Sequence, residues 1–186
     1  IRRIVPALFA MMLTCAVVAW FAFMPQELLY FARSMTAASL FASNIQFAKE
    51  AGYFDIGAQM KPLLHTWSLA VEEQFYIGFP LLLILLQRLA PRQIMPVMLV
   101  ALVASFAASI GVLNQNPTAG FYLSQYRVWE LLIGVILGLG AIPELRSETG
   151  RQVLAAIGLV LIGIAVFVFT EKTAFPGFAA LLPCLG

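Results

Sequence analysis

The chain has 186 residues, 62% of them hydrophobic and 11% charged, with a mean hydropathy of +0.93. Soluble domains carry about 25% charged residues, so the polar surface here is too small to coat a water-soluble globule and the membrane class follows. The net charge of +2 is not gathered into a basic stripe on any segment, which excludes a nucleic-acid partner.

Ile4 to Met24 gives 21 residues without a charge, enough to cross about 30 Å of hydrocarbon as a helix. Pro6 falls in the first turn, where a missing N–H costs little. Arg2 and Arg3 precede it and mark that end as cytoplasmic by the positive-inside rule. Leu28 to Ala48 is apolar enough to enter a membrane but carries Arg33, Ser34, Thr36, Ser39, Ser43 and Asn44. Lys49 to Lys61 reads as a polar loop broken by Gly52, Asp55 and Gly57. A helix is expected from about Thr66 to just before Gln87; Pro80 inside it frees the carbonyl of Tyr76 and bends the helix.

Ile94 to Leu113 is a plain spanning helix, and Asn114 to Gly120 is a turn. A further helix is expected from about Tyr122 to Ala141, followed by a charged loop from Pro143 to Arg151. Val153 to Thr170 makes another span, and one more begins at Ala174. The fold class is therefore all-α, a polytopic transmembrane helix bundle of about five to seven membrane helices or re-entrant segments. Residues 1–186 read as part of one domain, cut at both ends from a longer membrane protein. If Leu28–Ala48 does not cross fully, Arg2/Arg3, Arg88/Arg92 and Arg146/Arg151 all fall on one side. Positive-inside thus favours a re-entrant or interfacial segment there and puts the His65 loop on the outer side.

The polar residues concentrate between Pro62 and Pro80, where the single histidine, His65, stands with Trp67, Ser68, Glu72, Glu73 and Tyr76. On a helix Ser68, Glu72 and Tyr76 share one face, which His65 extends if the helix starts early, and Glu73 sits about 100° round from it. An acid at the bilayer centre costs about 3 kcal/mol, so both carboxylates call for interior surroundings and either a paired cation or a retained proton. Two readings stand: a helix start stabilised by acids near its dipole, with Trp67 at the interface, or a polar reaction or transport site. His65 alone is an interfacial or loop histidine; beside two carboxylates it also suits proton transfer.

A second constellation, Tyr122 to Glu130, is expected to open a helix. Arg127 and Glu130 can pair along it, as can Tyr126 and Glu130. Either the pair neutralises itself beneath an aromatic belt, or Arg127 reaches across the bundle to Glu72 or Glu73. Gly134 and Gly138 form a G-x-x-x-G, a signal for close helix packing. Arg2 and Arg3 read as topology determinants, and an anionic cofactor at that face would also suit them. Cys15 and Cys184 lie in apolar runs as small buried hydrophobes. No zinc-ligand spacing, phosphate loop, dinucleotide fingerprint or G-x-S-x-G is present, and no metal is expected. The residues alone describe a polytopic membrane protein with an acidic intramembrane site: an enzyme, a proton-coupled transporter using the acids as a relay, or a structural scaffold. Transporters tend to show repeated halves with matching broken helices, and no internal repeat is visible.

Five stretches in order carry a resemblance. They are Arg2-Arg3-Ile-Val-Pro6; Ser43-Asn44-Ile-Gln-Phe47 with Gly52-Tyr53-Phe54-Asp55; Pro62 to Tyr76; Tyr126-Arg127-Val-Trp129-Glu130 on to Gly134; and Phe175-Pro176-Gly177 with Leu181-Leu182-Pro183. Together they resemble the membrane acyltransferase family 3, bacterial O-acyltransferases that modify surface polysaccharides, and Pro62 to Tyr76 is the most specific of them. The resemblance implies an inner-membrane enzyme that takes an acyl group, usually acetyl, from a coenzyme A thioester (acetyl-CoA) to a sugar hydroxyl beyond the membrane. It points to the branch acting on lipopolysaccharide O-antigen or peptidoglycan, often fused to an extracytoplasmic esterase-like domain. It also implies two preceding helices with an essential arginine and histidine, so the chain as given is expected to be inactive and His65 does not take that histidine's place. Under the resemblance Glu72 and Glu73 orient or polarise the catalytic base or acceptor hydroxyl, Tyr76 lines the channel and His65 supports them. Trp67, Ser68 and Glu130 contact substrate, Arg127 balances the acids, and Arg2 and Arg3 face the coenzyme's phosphates.

Overall fold

The computed structural model describes residues 4–50, 61–140, 147–170 and 173–186. Arg2, Arg3, Arg146 and the Gly52–Asp55 motif lie outside the described residues. Those described form nine α-helices and short 3₁₀ turns, with no strand among them: α1 Ile4–Ala22, α2 Pro25–Ser39, α3 Ser43–Glu50, α4 Thr66–Leu89, α5 Ile94–Leu113, α6 Pro117–Tyr122, α7 Val128–Gly138, α8 Glu148–Val168 and α9 Gly177–Leu185. Four stretches are long and apolar enough to cross a membrane: Ile4–Ala22, Thr66–Leu89, Pro91–Leu113 and Glu148–Val168. The protein is a multi-pass membrane protein. Phe21 and Phe167, 85% and 88% exposed, are side chains that lipid solvates and water does not.

The chain divides into two compact units, residues 1–81 with 122–124, and residues 82–121 with 125–186. The first is built on a helical hairpin. α1 turns at Phe23 and Met24, Pro25 opens α2 with its fixed φ, and the Met24 N–H donates to Glu27 Oε2 at 2.8 Å. Leu8, Met12, Ala19, Phe31, Ala38 and Leu63 form its core, with Phe23 edge-on to Phe31 at 5.8 Å.

Leu28 to Ala48 is not one helix. The hydroxyls of Thr36 and Ser39 donate back to the carbonyls of Ala32 and Met35, competing with the helix's own bonds. The chain then breaks at Phe41, which takes a left-handed φ of 51°, and restarts as α3. At 15 and 8 residues, α2 and α3 fall short of the roughly 20 needed to cross, in line with a segment that does not span as a single helix. α4 runs unbroken through Pro80 and extends to Leu89, past the expected end before Gln87.

In the second unit α5 packs on α7, and α9 packs on α5, α7 and α8. Three expectations are corrected here. Asn114 to Gly120 is only partly a turn, since α6 starts at Pro117, whose φ is already set for a helix. The helix expected over Tyr122 to Ala141 is broken: α6 ends at Tyr122, a 3₁₀ turn covers Ser124–Tyr126, Arg127 caps at φ −122°, and α7 is 11 residues long. Gly134 and Gly138 make no close packing contact, because added Cβ atoms there would meet nothing within 4 Å. They lie roughly opposite Trp129, which with Leu132 marks the buried face of α7. A close approach is found instead at Gly158 of α8, where an added Cβ would run into the Gly186 carbonyl oxygen. α8 itself starts ahead of the expected Val153, with Ser147 as N-cap accepting from the Gly150 N–H at 3.3 Å.

Gly134→Ala and Gly138→Ala are therefore expected to leave thermal unfolding in detergent unchanged or to raise stability by up to about 1 kcal/mol each, from helix propensity alone. Loss of stability in both would restore the packing role for this motif.

Candidate functional site

The interior of the first unit is organised by two amides. Asn44 lies in the first turn of α3 and Gln74 in the third turn of α4, and their side-chain amides meet in the interior. Gln74 Nε2 donates to Asn44 Oδ1 at 2.9 Å and to the Phe41 carbonyl at 2.8 Å, the latter exposed by the left-handed turn. Asn44 Nδ2 donates to the Tyr122 carbonyl at 3.2 Å and to Ser124 Oγ at 3.1 Å, and Ser124 donates to Gln74 Oε1. Ser43 Oγ donates to the Thr66 carbonyl at 2.9 Å, and Thr66 Oγ1 to that of Leu63 at 2.7 Å, which fixes the start of α4. Three separate stretches of chain are joined by this network.

Glu73 stands next to it in sequence and differs in every respect. It is fully buried, at 0% exposure, and neither carboxylate oxygen has a hydrogen-bond partner among the described residues. Thr66, Ala70 and Glu73, at i, i+4 and i+7, form the buried stripe of α4. The face expected to carry the chemistry lies elsewhere: Ser68 is exposed, Tyr76 is 51% exposed and Glu72 is half-buried. The expectation that both carboxylates are interior is thus met by Glu73 and only in part by Glu72. The two side chains diverge by about 100°, so one helix cannot bury both equally.

His65 is exposed. With Thr66 and Leu69 it lines a cleft against Ile4, Ala7, Leu8 and Met11, in the half of α1 that follows Arg2 and Arg3. The start of α4 thus lies beside the first half of α1. The Ser68 hydroxyl donates to the His65 carbonyl at 3.2 Å, a helix-start bond that engages no imidazole atom. Trp67 is half-buried, edge-on to Tyr122 at 5.4 Å.

In the second unit Arg127 Nη2 donates to Glu130 Oε2 at 2.7 Å, so the local pairing forms although the helix expected beneath it does not. The guanidinium carbon lies 5.6 Å from the Phe121 ring and 5.3 Å from the Phe175 ring. Trp129 is fully buried against Phe106, with centroids 4.9 Å apart. Its Nε1 and Glu130 Oε1 have no hydrogen-bond partner among the described residues. Ser105 Oγ accepts from the Trp129 N–H at 3.2 Å and donates to the Gln125 carbonyl at 2.7 Å, holding the 3₁₀ turn to α5. No cluster of three His, Cys, Asp or Glu side chains suits a metal among the described residues.

Sequence reasoning passed over Gln74, Ser124 and the structural part of Asn44. A signal was available: an amide beside an acid, in a helix of membrane length, needs a partner as much as the acid does.

The chain is 32% identical over 198 aligned residues to an uncharacterized protein of Haemophilus influenzae, covering all of this chain and 80% of that protein. It is 30% identical to O-acetyltransferase OatA of Staphylococcus aureus over 173 residues, or 90% of this chain. It is 35% identical to the putative peptidoglycan O-acetyltransferase YrhL of Bacillus subtilis over 157 residues, or 81% of this chain. The chain spans only 28% and 24% of the length of those two O-acetyltransferases. No family model and no solved structure matches it.

Replacing Asn44 by Leu removes one hydrogen bond each from the Tyr122 carbonyl, Ser124 and Gln74 in the interior. Each such loss costs about 1–3 kcal/mol, so Asn44→Leu is expected to lower the unfolding temperature in detergent by several degrees. Circular dichroism melting checks this; a melting curve that coincides with the parent's rules out the network as a structural centre.

Proposed function

Since the chain belongs to the membrane acyltransferase family 3, we propose that it is an integral membrane O-acyltransferase. Its native protein moves an acetyl group from a coenzyme A thioester to hydroxyls of a cell-surface polysaccharide, working in the bacterial cytoplasmic membrane. The acceptor class follows the names of the relatives, one of them a putative peptidoglycan O-acetyltransferase. Four apolar helices of membrane length supply the setting for transfer from one face to the other.

The observation that carries the reading is Glu73. A carboxyl group with 0% exposure and two unpartnered oxygens, within a helix of membrane length, is costly to maintain and gives the helix nothing in return. An ionisable residue inside a membrane helix is a candidate functional group. In acyl transfer the acceptor hydroxyl loses its proton as its oxygen attacks the thioester carbon. The C–S bond breaks, the C–O ester bond forms, and the departing thiolate takes up a proton. A buried carboxyl group is suited to orient the catalytic base or to polarise that hydroxyl, because hydrogen bonds strengthen in a low-dielectric site. Glu72, half-buried one position earlier, assists. Ser68 and Tyr76, one turn before and one turn after Glu72 on the more exposed face, are assigned to the substrate path with Trp67, and His65 supports them. Arg127, neutralised by Glu130 at 2.7 Å, sets a second charged pair for substrate contact, and Arg2 and Arg3 meet the donor's phosphates.

In cells or proteoliposomes carrying the native protein, Glu73→Gln is expected to lower sugar O-acetylation at least about 100-fold, the scale of a lost acid–base group, with a smaller loss for Glu72→Gln. Polysaccharide O-acetyl content, normalised to protein in the membrane, measures this. Parental acetylation in both variants sinks the site assignment. A parent that moves protons and acetylates nothing replaces the enzyme by a proton-coupled transporter.

A further inference from the structure

At the turn between α1 and α2 lies a cavity of about 250 Å³, apart from the Glu73 carboxyl, lined among others by Phe23, Glu27, Tyr30, Phe31, Glu50 and Lys61. Its apolar part is fixed: Phe31 is buried at 5% exposure and Phe23 stands edge-on to it at 5.8 Å. Tyr30 is 44% exposed and leaves an aromatic ring accessible at the rim.

The polar part is held equally firmly. Glu27 Oε2 is tied to the Met24 N–H at 2.8 Å. Glu50 Oε1 accepts from Gln46 Nε2 at 2.5 Å, and its Oε2 lies 3.8 Å from the Lys61 ammonium. An ionised carboxylate has about four lone-pair sites, so both glutamates keep acceptor capacity beyond these contacts. A wall of preset acceptors with an ammonium beside them, over aromatic rings, matches a ring with an apolar face and a hydroxyl edge.

Size and charge narrow the ligand. At about 250 Å³ the cavity lies below the roughly 300–1,000 Å³ of drug-sized sites, so it takes one sugar ring and not a coenzyme A molecule. Among the described lining residues two carboxylates stand against one ammonium, a balance that disfavours a polyphosphate. Location agrees. Arg2 and Arg3 precede the opposite end of α1, and positive-inside puts that end in the cytoplasm and the α1–α2 turn on the far side.

We propose that this cavity is an acceptor subsite that binds a neutral pyranose ring of the polysaccharide. Tyr30 and Phe31 take the apolar face of the ring, while Glu27, Glu50 and Lys61 hold its hydroxyls. The subsite rests on the O-acyltransferase reading for its role in turnover, and on the cavity's own chemistry for the ligand.

The test uses the native protein in lipid nanodiscs with a short N-acetylglucosamine oligosaccharide as probe, read by ligand-observed NMR saturation transfer and by acetylation kinetics. Glu27→Gln keeps the helix cap, since an amide oxygen still accepts the Met24 N–H, but removes the charge. Tyr30→Ala removes the rim ring. Each is expected to raise the acceptor KM about tenfold, or 1.4 kcal/mol, with the donor KM and kcat unchanged and the saturation-transfer signal lost. A parent that gives no signal, or variants that keep both the signal and the acceptor KM, overturn the subsite while acetylation by the parent leaves the enzyme reading standing. A fall in kcat alone also overturns it. A parent that binds the probe through these residues but acetylates nothing supports the subsite and removes the enzyme reading.

Discussion

The hydrogen-bonded amide pair of Asn44 and Gln74 is the constraint on which the first unit depends. A buried amide that loses its partner forfeits its desolvation, so the two side chains lock whatever they bond. Through them α3, α4, the left-handed turn at Phe41 and the 122–124 segment share one arrangement. Gln74 also sets the rotation of α4. With position 74 turned to the network, positions 66, 70 and 73 form the buried stripe, and Glu73 is carried into the interior by the neighbour that is satisfied there.

The buried polar groups then fall into two kinds, satisfied and unsatisfied. Ser43, Asn44, Thr66, Gln74 and Ser124 all find partners and hold the scaffold. Glu73 finds none among the described residues. The second unit shows the same division on a smaller scale: Arg127 neutralises one oxygen of Glu130, while the other oxygen and the Trp129 indole N–H have no partner among the described residues.

Where local signals were strong the sequence sufficed. The uncharged run after Arg3 became α1, Thr66 began α4, and Ile94 to Leu113 became α5 residue for residue, since apolar length alone decides whether a stretch is a membrane helix. Where several weak signals competed it did not. The hydroxyl-rich region around Thr36 and Ser39 left open where α2 would stop, and a bond between Gln74 and the Phe41 carbonyl, 33 residues apart in the chain, holds the break. Tyr122 to Glu130 looked helical by composition, yet Ser105 draws the Gln125 carbonyl and the Trp129 N–H to α5 and breaks it. The glycine pair on α7 had the spacing for close packing, but spacing does not say which face of a helix meets a neighbour.

The sequence by itself determined that this is an all-helical, multi-pass membrane protein, which family it belongs to, and that its polar residues concentrate between Pro62 and Pro80. These follow from composition, apolar run length and a motif contiguous in the chain. Only the tertiary structure decided which of two adjacent glutamates is buried, since helical periodicity puts Glu72 and Glu73 on different faces but does not choose between them. It decided, too, that an amide pair distant in sequence makes that choice, and that Glu27, Tyr30, Glu50 and Lys61 come together. Each of these depends on where the chain returns to itself, and the polar groups that fix those returns find their partners across the fold.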